Sequence, residues 1–254
     1  MDQLSSVVMG IVQGVLEWLP VSSEGQLFLV ATLMGVNANK ALSLALYLHL
    51  GTGLAALLYY HEDFRLALRG GPLFSFLVLG SLATGLAGLT LMLFIERLAA
   101  SFELELSVLV GIFLLLIGLA LRNLEQKGFG CREMPTTLDS IVTGLAQGLA
   151  ILPGISRSAS TISILLIRGF RLDRALKLSF MLGSIASISA GFISSGAIEA
   201  RIGIFSLLAS LVAGYSMLLI LNKIVKKTRM STFTISFGFL SLILVAIRIY
   251  LLPT

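Results

Sequence analysis

The chain has 254 residues, of which 57% are hydrophobic and only 12% are charged, and its mean hydropathy is +0.99. An ordinary soluble domain carries roughly 25% charged residues, so this composition excludes a water-soluble fold and indicates that lipid surrounds much of the chain. The net charge of +5 does not indicate nucleic-acid binding, because the basic residues lie in short loops between apolar runs.

Six apolar runs are long enough to cross roughly 30 Å of hydrocarbon as helices. Two further apolar stretches, 4–36 and 138–168, are interrupted by Pro20 and Pro153 among polar residues. Each interruption leaves two pieces of about 11–17 residues, too short to span, as expected for a re-entrant helix–loop–helix. The sequence therefore predicts an all-α integral membrane protein with two re-entrant segments and about six transmembrane helices, at 41–60, 72–96, 104–121, 175–198, 203–221 and 233–252.

The two interrupted stretches resemble each other. Gly10-Ile-Val-Gln13-Gly14 corresponds to Gly144-Leu-Ala-Gln147-Gly148, and in both stretches a Leu-Pro pair is followed by a serine three residues after the proline. Each copy precedes three predicted spans, so the two copies must be inserted in opposite directions. We therefore expect a single membrane domain, 1–254, built from an inverted repeat of 1–123 and 138–254, with both re-entrant loops meeting near the midplane.

The loop charges predict the orientation of the chain. The four loops 61–71, 122–137, 168–177 and 222–230 carry thirteen of the 18 lysines and arginines, the opposite loops carry four, and Arg157 lies within the second re-entrant segment. Because basic residues are enriched on the cytoplasmic side, these four loops are expected to be cytoplasmic. Both termini would then lie outside a cell membrane, with the site open to the outer side.

The first polar interruption contains candidate chemistry. Gln13 and Glu17 lie four residues apart and share one helix face. An unpaired acid at mid-bilayer costs about 2.5–3.5 kcal/mol, so Glu17 is expected to need a cation, a proton or a hydrogen-bond network; the alternative is a hydrated acid at the interface. Ser22 and Ser23 follow Pro20 at the start of a new helix, which could bind an anion or simply be capped by a serine.

The second interruption places Arg157 between Ser156 and Ser158, with Thr161 one helical turn further. A guanidinium offers a planar fork for two phosphate oxygens, and the hydroxyls around it are neutral donors. This pattern predicts a phosphate site. The alternative is an ion pair between Arg157 and Glu17 that satisfies both buried charges, and the two interpretations are compatible.

At these two segments the chain resembles a known family. Residues 13–26, Q-G-V-L-E-W-L-P-V-S-S-E-G-Q, resemble the E-x-x-x-E-F-L-P-V-S-S-T-G-H motif of undecaprenyl-pyrophosphate phosphatases of the bacitracin-resistance type. Residues 153–161, P-G-I-S-R-S-A-S-T, resemble that family's P-G-x-S-R-S-G-x-T motif, and 48–52 also looks like a family segment. The resemblance implies a membrane enzyme that removes the terminal phosphate from a polyprenyl diphosphate outside the cytoplasmic leaflet and so recycles the carrier lipid.

The resemblance also implies roles by position. Arg157 would hold the phosphoryl oxygens, Ser23 would be the nucleophile or position the attacking water, and Glu17 would be the base or hold a divalent cation, Mg²⁺ or Ca²⁺. The expected partners are the lipid substrate, the membrane and, through the glycine faces, a second copy of the chain. The predicted substrate-binding residues are Gln13, Ser22, Gln26, Ser156, Ser158 and Thr161.

Three positions depart from the family motifs: Gln13 replaces an acid, Gln26 replaces a histidine, and Ala159 replaces a glycine. Gln13 removes a carboxylate that could bind metal, and Gln26 removes the best proton carrier near neutral pH. These changes favour the alternative of a flippase or carrier of polyprenyl phosphate that keeps the anion site without hydrolysis. His49, inside a predicted span, could contact the site, but packing or a helix–helix hydrogen bond is the favoured interpretation. Glu24 is the remaining nearby acid that could replace the histidine.

Overall fold

The structure, a computed structural model, describes residues 3–21, 23, 26–27, 30–31, 34, 38–94, 103–125, 131–152, 155–194 and 200–251. Within these residues every named element is a helix, which confirms the predicted all-α class. A short 3₁₀ turn, Leu149–Ile151, directly follows the helix Thr137–Gly148. The α-helices are α1 Gln3–Leu16, α2 Ala38–Tyr59, α3 His61–Ala67, α4 Pro72–Phe94, α5 Glu103–Glu125, α6 Thr137–Gly148, α7 Arg157–Ile167, α8 Leu172–Ser194, α9 Ala200–Val225 and α10 Met230–Leu251.

Four helices in the described part of the chain are long and apolar enough to cross a membrane: Pro72–Leu91, Leu172–Ser194, Gly203–Val225 and Met230–Leu251. A fifth span forms if the bent pair of α2 and α3 is counted as one. The predicted number was six. The difference is α5, whose described apolar part, Val108–Asn123, is shorter than the spanning length, so the exact count is not confirmed.

The predicted loop 61–71 begins with a helix. Helix α2 ends at Tyr59, and α3 leaves it at an angle of 76° after the single residue Tyr60. Glu62 and Asp63 occupy the first turn of α3, where carboxylates interact favourably with the positive end of a helix. The polar residues that suggested a loop therefore form about two turns of helix, lying across the end of α2.

The second re-entrant segment begins and ends at the same place in the fold. Asp139, in the first turn of α6, is buried and forms a capping box with Thr136. The same carboxylate accepts hydrogen bonds from Arg132 at 2.7 Å and from Arg168, which follows α7, at 2.6 Å. Arg132 also forms a bridge with Phe170. Because the two ends of 138–168 are joined by these bonds, the chain between them turns back on itself, as a re-entrant segment requires.

Small residues let the helices of the two halves approach closely. The nearest groups to Gly10 and Gly14 of α1 are backbone and alanine side-chain atoms of α9, and Gly144 and Gly148 of α6 approach α4 in the same way. In the predicted repeat, α2 corresponds to α8 and α5 corresponds to α10. Helix α2 packs against α8, and α5 packs against α10, so each of these helices contacts its counterpart in the other half. The glycine faces are thus used within the chain. The homodimer and the repeat boundaries stay predictions.

Candidate active site

Glu17 is the centre of the candidate site. It lies one residue beyond α1, is buried, and each of its carboxylate oxygens faces several donors. Oε1 accepts hydrogen bonds from Arg157 Nη2 at 2.7 Å and from Ser187 Oγ at 3.1 Å. Oε2 accepts from Gln13 Nε2 at 2.8 Å and from Ser23 Oγ at 3.2 Å. This network offsets the cost of burying the acid, and the predicted pair of Glu17 and Arg157 is present.

Arg157 is held in place by both re-entrant segments and by α8. It is the first residue of α7, which Ser156 caps by accepting a hydrogen bond from the Ala159 amide. Its guanidinium carbon lies 5.7 Å from the centre of the Trp18 ring, within the range of a cation–π contact. A side-chain carbon on Gly183 of α8 would collide with the guanidinium, so the glycine leaves the space that Arg157 fills.

The predicted hydroxyl residues divide into two groups. Ser23, Ser156 and Ser158 line the cavity described below, although Ser158 also donates a hydrogen bond of 2.6 Å to the Leu19 carbonyl. That bond ties the two interrupted segments to each other. Thr161 is fully buried against Ser179 of α8, with 2.6 Å between their hydroxyl oxygens, and it lies outside the cavity. Its predicted role in binding phosphate stays a prediction.

The two glutamines of the first motif are both buried, but only one reaches the network. Gln13 contacts Glu17 as its helical spacing predicts, whereas Gln26 is not among the residues that line the cavity. Ser22 and Glu24 fall outside the described residues. The replacement of the family histidine by Gln26 therefore occurs at a position whose side chain does not border the cavity.

His49 and Ser187 belong to the site, although the sequence favoured a packing role for His49 over contact with the site and did not point to Ser187. His49 Nε2 lies 3.4 Å from Glu17 Oε2, and its Nδ1 lies 2.8 Å from the Ala45 carbonyl oxygen. A carbonyl oxygen can only accept, so Nδ1 must carry a hydrogen. The second ring nitrogen, Nε2, then faces Glu17 Oε2, and the two atoms form a hydrogen bond when one proton lies between them.

A cavity of about 360 Å³ connects these groups to an apolar wall. Its apolar side is formed by residues of α2, α8, the 3₁₀ turn and the segment before α7, among them Leu46, Ile151, Ile155, Ala190 and Ile193. Its polar side is formed by residues of both interrupted segments and of α2, α4, α6 and α8, among them Glu17, Ser23, His49, Thr84, Gln147, Arg157 and Ser187. The cavity therefore offers both polar groups that can bind an anion and apolar residues that can contact a hydrocarbon chain.

The comparisons with known proteins agree with the motifs at this site. The family model described as bacitracin resistance protein BacA matches residues 6–243. The chain belongs to the BacA family. A protein of Methanococcoides burtonii named undecaprenyl-diphosphatase is 35% identical over 258 residues, which cover 94% of this chain and 96% of the relative. Relatives of the same name from Haloarcula marismortui and Methanothrix thermoacetophila are 38% and 37% identical, covering 84% and 97% of this chain and 86% and 98% of the relatives.

The donor set of this BacA-family site does not fit a resident divalent cation. Among the described residues that line the cavity, Glu17 is the single carboxylate, and both of its oxygens already accept hydrogen bonds, one of them from the Arg157 guanidinium. The described residues contain no group of three His, Cys, Asp or Glu placed to hold a metal. A cation at Glu17 would also lie beside the positive charge of Arg157, which opposes binding. The predicted Mg²⁺ or Ca²⁺ stays a prediction, and no step below passes through it.

Proposed function

We propose that this chain hydrolyses an undecaprenyl-like polyprenyl diphosphate to the monophosphate and free phosphate. The observation that carries the proposal is the Glu17–Arg157 pair in a cavity that apolar residues also line. A polyprenyl diphosphate has the matching chemistry, because its anionic head and hydrocarbon tail are joined directly. The names of the family's relatives support the same substrate class.

Arg157 can bind the diphosphate head group. A guanidinium has five N–H donors, and Glu17 and the Trp18 ring use only part of its surface, so donors remain for phosphate oxygens. Because Arg157 is also the first residue of α7, free backbone N–H groups and the positive end of the helix lie beside it. Together these groups stabilise the negative charge that builds up on the phosphoryl oxygens.

Ser23 and Glu17 are arranged for transfer of the phosphoryl group. The Ser23 hydroxyl lies 3.2 Å from Glu17 Oε2, so the carboxylate can take its proton as the oxygen attacks the terminal phosphorus. The bond between that phosphorus and the bridging oxygen breaks, and polyprenyl monophosphate leaves. Water then cleaves the bond between Ser23 and phosphorus. In the alternative that the sequence left open, Ser23 positions a water that attacks directly.

His49 is the proton carrier that the motif appeared to lack. Its Nε2 faces the same Glu17 oxygen that accepts from Ser23, so a proton taken up by Glu17 is shared with the imidazole. Imidazole is the side chain best suited to move a proton near neutral pH. The loss of histidine at position 26 therefore does not remove acid–base chemistry from this site.

Phosphate release by the purified full-length chain tests the proposed function. Wild type should release phosphate from undecaprenyl diphosphate in detergent, and Glu17→Gln should release far less, because glutamine keeps the shape of the side chain but cannot take a proton. Parallel reactions with a chelator test the predicted divalent cation separately. Background release by wild type, with and without added Mg²⁺ or Ca²⁺, would overturn the proposal.

A flippase or carrier of polyprenyl phosphate is the second candidate function. Its support is a pair of corresponding helix contacts in the two halves, α1 against α9 and α6 against α4, around a site formed by two interrupted segments. Transporters built from inverted repeats bind their substrates at such places. Lipid movement across proteoliposomes in the absence of phosphate release would favour this function over hydrolysis.

The orientation is the remaining part of the proposal: a cell membrane, both termini outside and the site open to the outer side. Cys131 makes it testable, because it is the single cysteine, is exposed, and lies in a loop predicted to be cytoplasmic. An impermeant thiol reagent should label it only after the cell membrane is opened. In a Cys131→Ser background, a cysteine at Asp2 should label without opening, and the reverse pattern would contradict the orientation.

A further inference from the structure

Gln147 is a buried polar side chain that the chemistry above does not use. It lies near the end of α6, lines the cavity with Glu17 and Arg157, and is only 4% exposed. It is also the repeat counterpart of Gln13, which donates to Glu17. The side-chain oxygen of Gln147 has no hydrogen-bond partner among the described residues. The oxygen is also closed to solvent in this structure, so a ligand reaches it only after a small shift of the surrounding side chains. Because a buried acceptor without a partner is unfavourable, such a shift is favoured once a donor enters the cavity.

Thr84 of α4 fixes which end of the Gln147 amide is free. The Thr84 hydroxyl donates to the carbonyl of Gly80 at 2.8 Å and lies 3.1 Å from that of Gly144. Its single hydrogen is thereby used, and towards Gln147 it can only accept. The amide nitrogen of Gln147 accordingly donates to Thr84 at 3.1 Å. If the amide were rotated by 180°, its oxygen would face the Thr84 hydroxyl oxygen, and both atoms could only accept. The side-chain oxygen of Gln147 therefore stays free to accept a hydrogen bond.

The chemistry of the expected substrate limits what this oxygen can bind. Diphosphate oxygens are acceptors and would be repelled by another acceptor, and a polyprenyl chain has no donors. Water is the reactant that can donate to it. We infer that the Gln147 side-chain oxygen binds the water that attacks phosphorus, an inference that rests on the proposed function.

The step balances with the groups already placed in the cavity. The water oxygen forms the new bond to phosphorus, and the bond from phosphorus to Ser23 Oγ breaks. Glu17 returns a proton to Ser23 and accepts one from the water, whose second hydrogen stays on the released phosphate. Gln147 orients the water and excludes other positions for it. In the direct route the same water attacks the terminal phosphorus of the diphosphate, and polyprenyl monophosphate leaves.

The test combines kinetics with competition between nucleophiles. Gln147→Leu keeps much of the side-chain volume without polar atoms, and Thr84→Val frees the amide to rotate. Ser163→Ala is the matched control, because Ser163 is buried with a hydroxyl that lacks a partner among the described residues but lies outside the cavity. Each purified full-length variant receives undecaprenyl diphosphate in buffer containing methanol. The readouts are kcat, KM and the ratio of methyl phosphate to inorganic phosphate.

Gln147→Leu should lower kcat by roughly 10- to 100-fold, the effect of losing one well-placed hydrogen bond to a reacting group, and should leave KM little changed. It should also raise the share of methyl phosphate, because the apolar side chain favours methanol over water. Thr84→Val should also lower kcat and raise the share of methyl phosphate, but by less. If Gln147→Leu fails to fold, Thr84→Val alone tests whether Gln147 binds the water. Ser163→Ala should match wild type.

Two sets of results would overturn the inference. A wild-type product ratio in both Gln147→Leu and Thr84→Val would show that Gln147 supports the structure without binding the water. A rise in KM alone would show that Gln147 contacts the substrate instead. If wild type itself releases no phosphate, the proposed function fails, and this inference fails with it; active wild type with an unaffected product ratio in both variants refutes the water site alone.

Discussion

Gly183→Ala tests whether Arg157 must occupy its observed position. A side-chain carbon built on Gly183 would lie 2.5 Å from the guanidinium carbon of Arg157 and 3.2 Å from its Nη2, and closer still to Nη1. Contacts of this kind cannot form, so the guanidinium must move. The atoms that collide are the far end of a flexible side chain, and alanine suits a helix better than glycine. We therefore expect the variant to fold, with a loss of stability where the guanidinium no longer compensates the buried Glu17.

Activity should fall as well. Moving the guanidinium breaks its bond of 2.7 Å to Glu17 Oε1. A hydrogen bond to a charged group contributes about 1.5–3 kcal/mol, which corresponds to a fall of roughly 10- to 100-fold in kcat/KM for phosphate release. Gly85→Ala in α4 is the control, because a carbon added there meets nothing within 4 Å. Wild-type activity in a correctly folded Gly183→Ala protein would refute the role given to Arg157.

Three further predictions concern single side chains. Arg157→Lys keeps the charge but loses the planar fork, so binding of undecaprenyl phosphate, measured by calorimetry, should weaken by about 1–3 kcal/mol; undiminished binding would leave Arg157 only as the partner of Glu17. His49→Gln should lower phosphate release by at least about 100-fold, the usual range for acid–base catalysis, while His61→Gln at an exposed position should have no effect; equal rates in the two variants would exclude His49. Because His49 already contacts Glu17, Gln26→His should change release by no more than about threefold, whereas a large rise would show that the wild type lacks a proton carrier.

The sequence predicted those parts of the site that depend on local pattern. Gln13 and Glu17 meet because they are four residues apart on a helix. The pairing of Glu17 with Arg157 could also be predicted, since two opposite charges buried in lipid must compensate each other.

The parts that were missed depend on contacts between distant helices. His49 and Ser187 lie in apolar helices whose periodicity does not show which face meets Glu17. The free oxygen of Gln147 follows from the hydrogen bonds of Thr84, a residue 63 positions away along the chain. Gly183 offered one signal, since it lies four residues before Ser187 and gives α8 a face of small residues. A face of small residues indicates that another part of the protein packs closely against the helix, but it does not show which residue does so.

The most direct test of the central claim follows one labelled phosphorus atom. Undecaprenyl diphosphate labelled in its terminal phosphate is added to the outer side of proteoliposomes that contain the purified chain, and label is measured as free phosphate and as lipid in each leaflet. The account predicts that wild type converts the label to free phosphate, whereas Glu17→Gln leaves it on the lipid in the outer leaflet. Label that crosses to the inner leaflet while still attached to the lipid, with no free phosphate formed, would contradict it and identify a carrier.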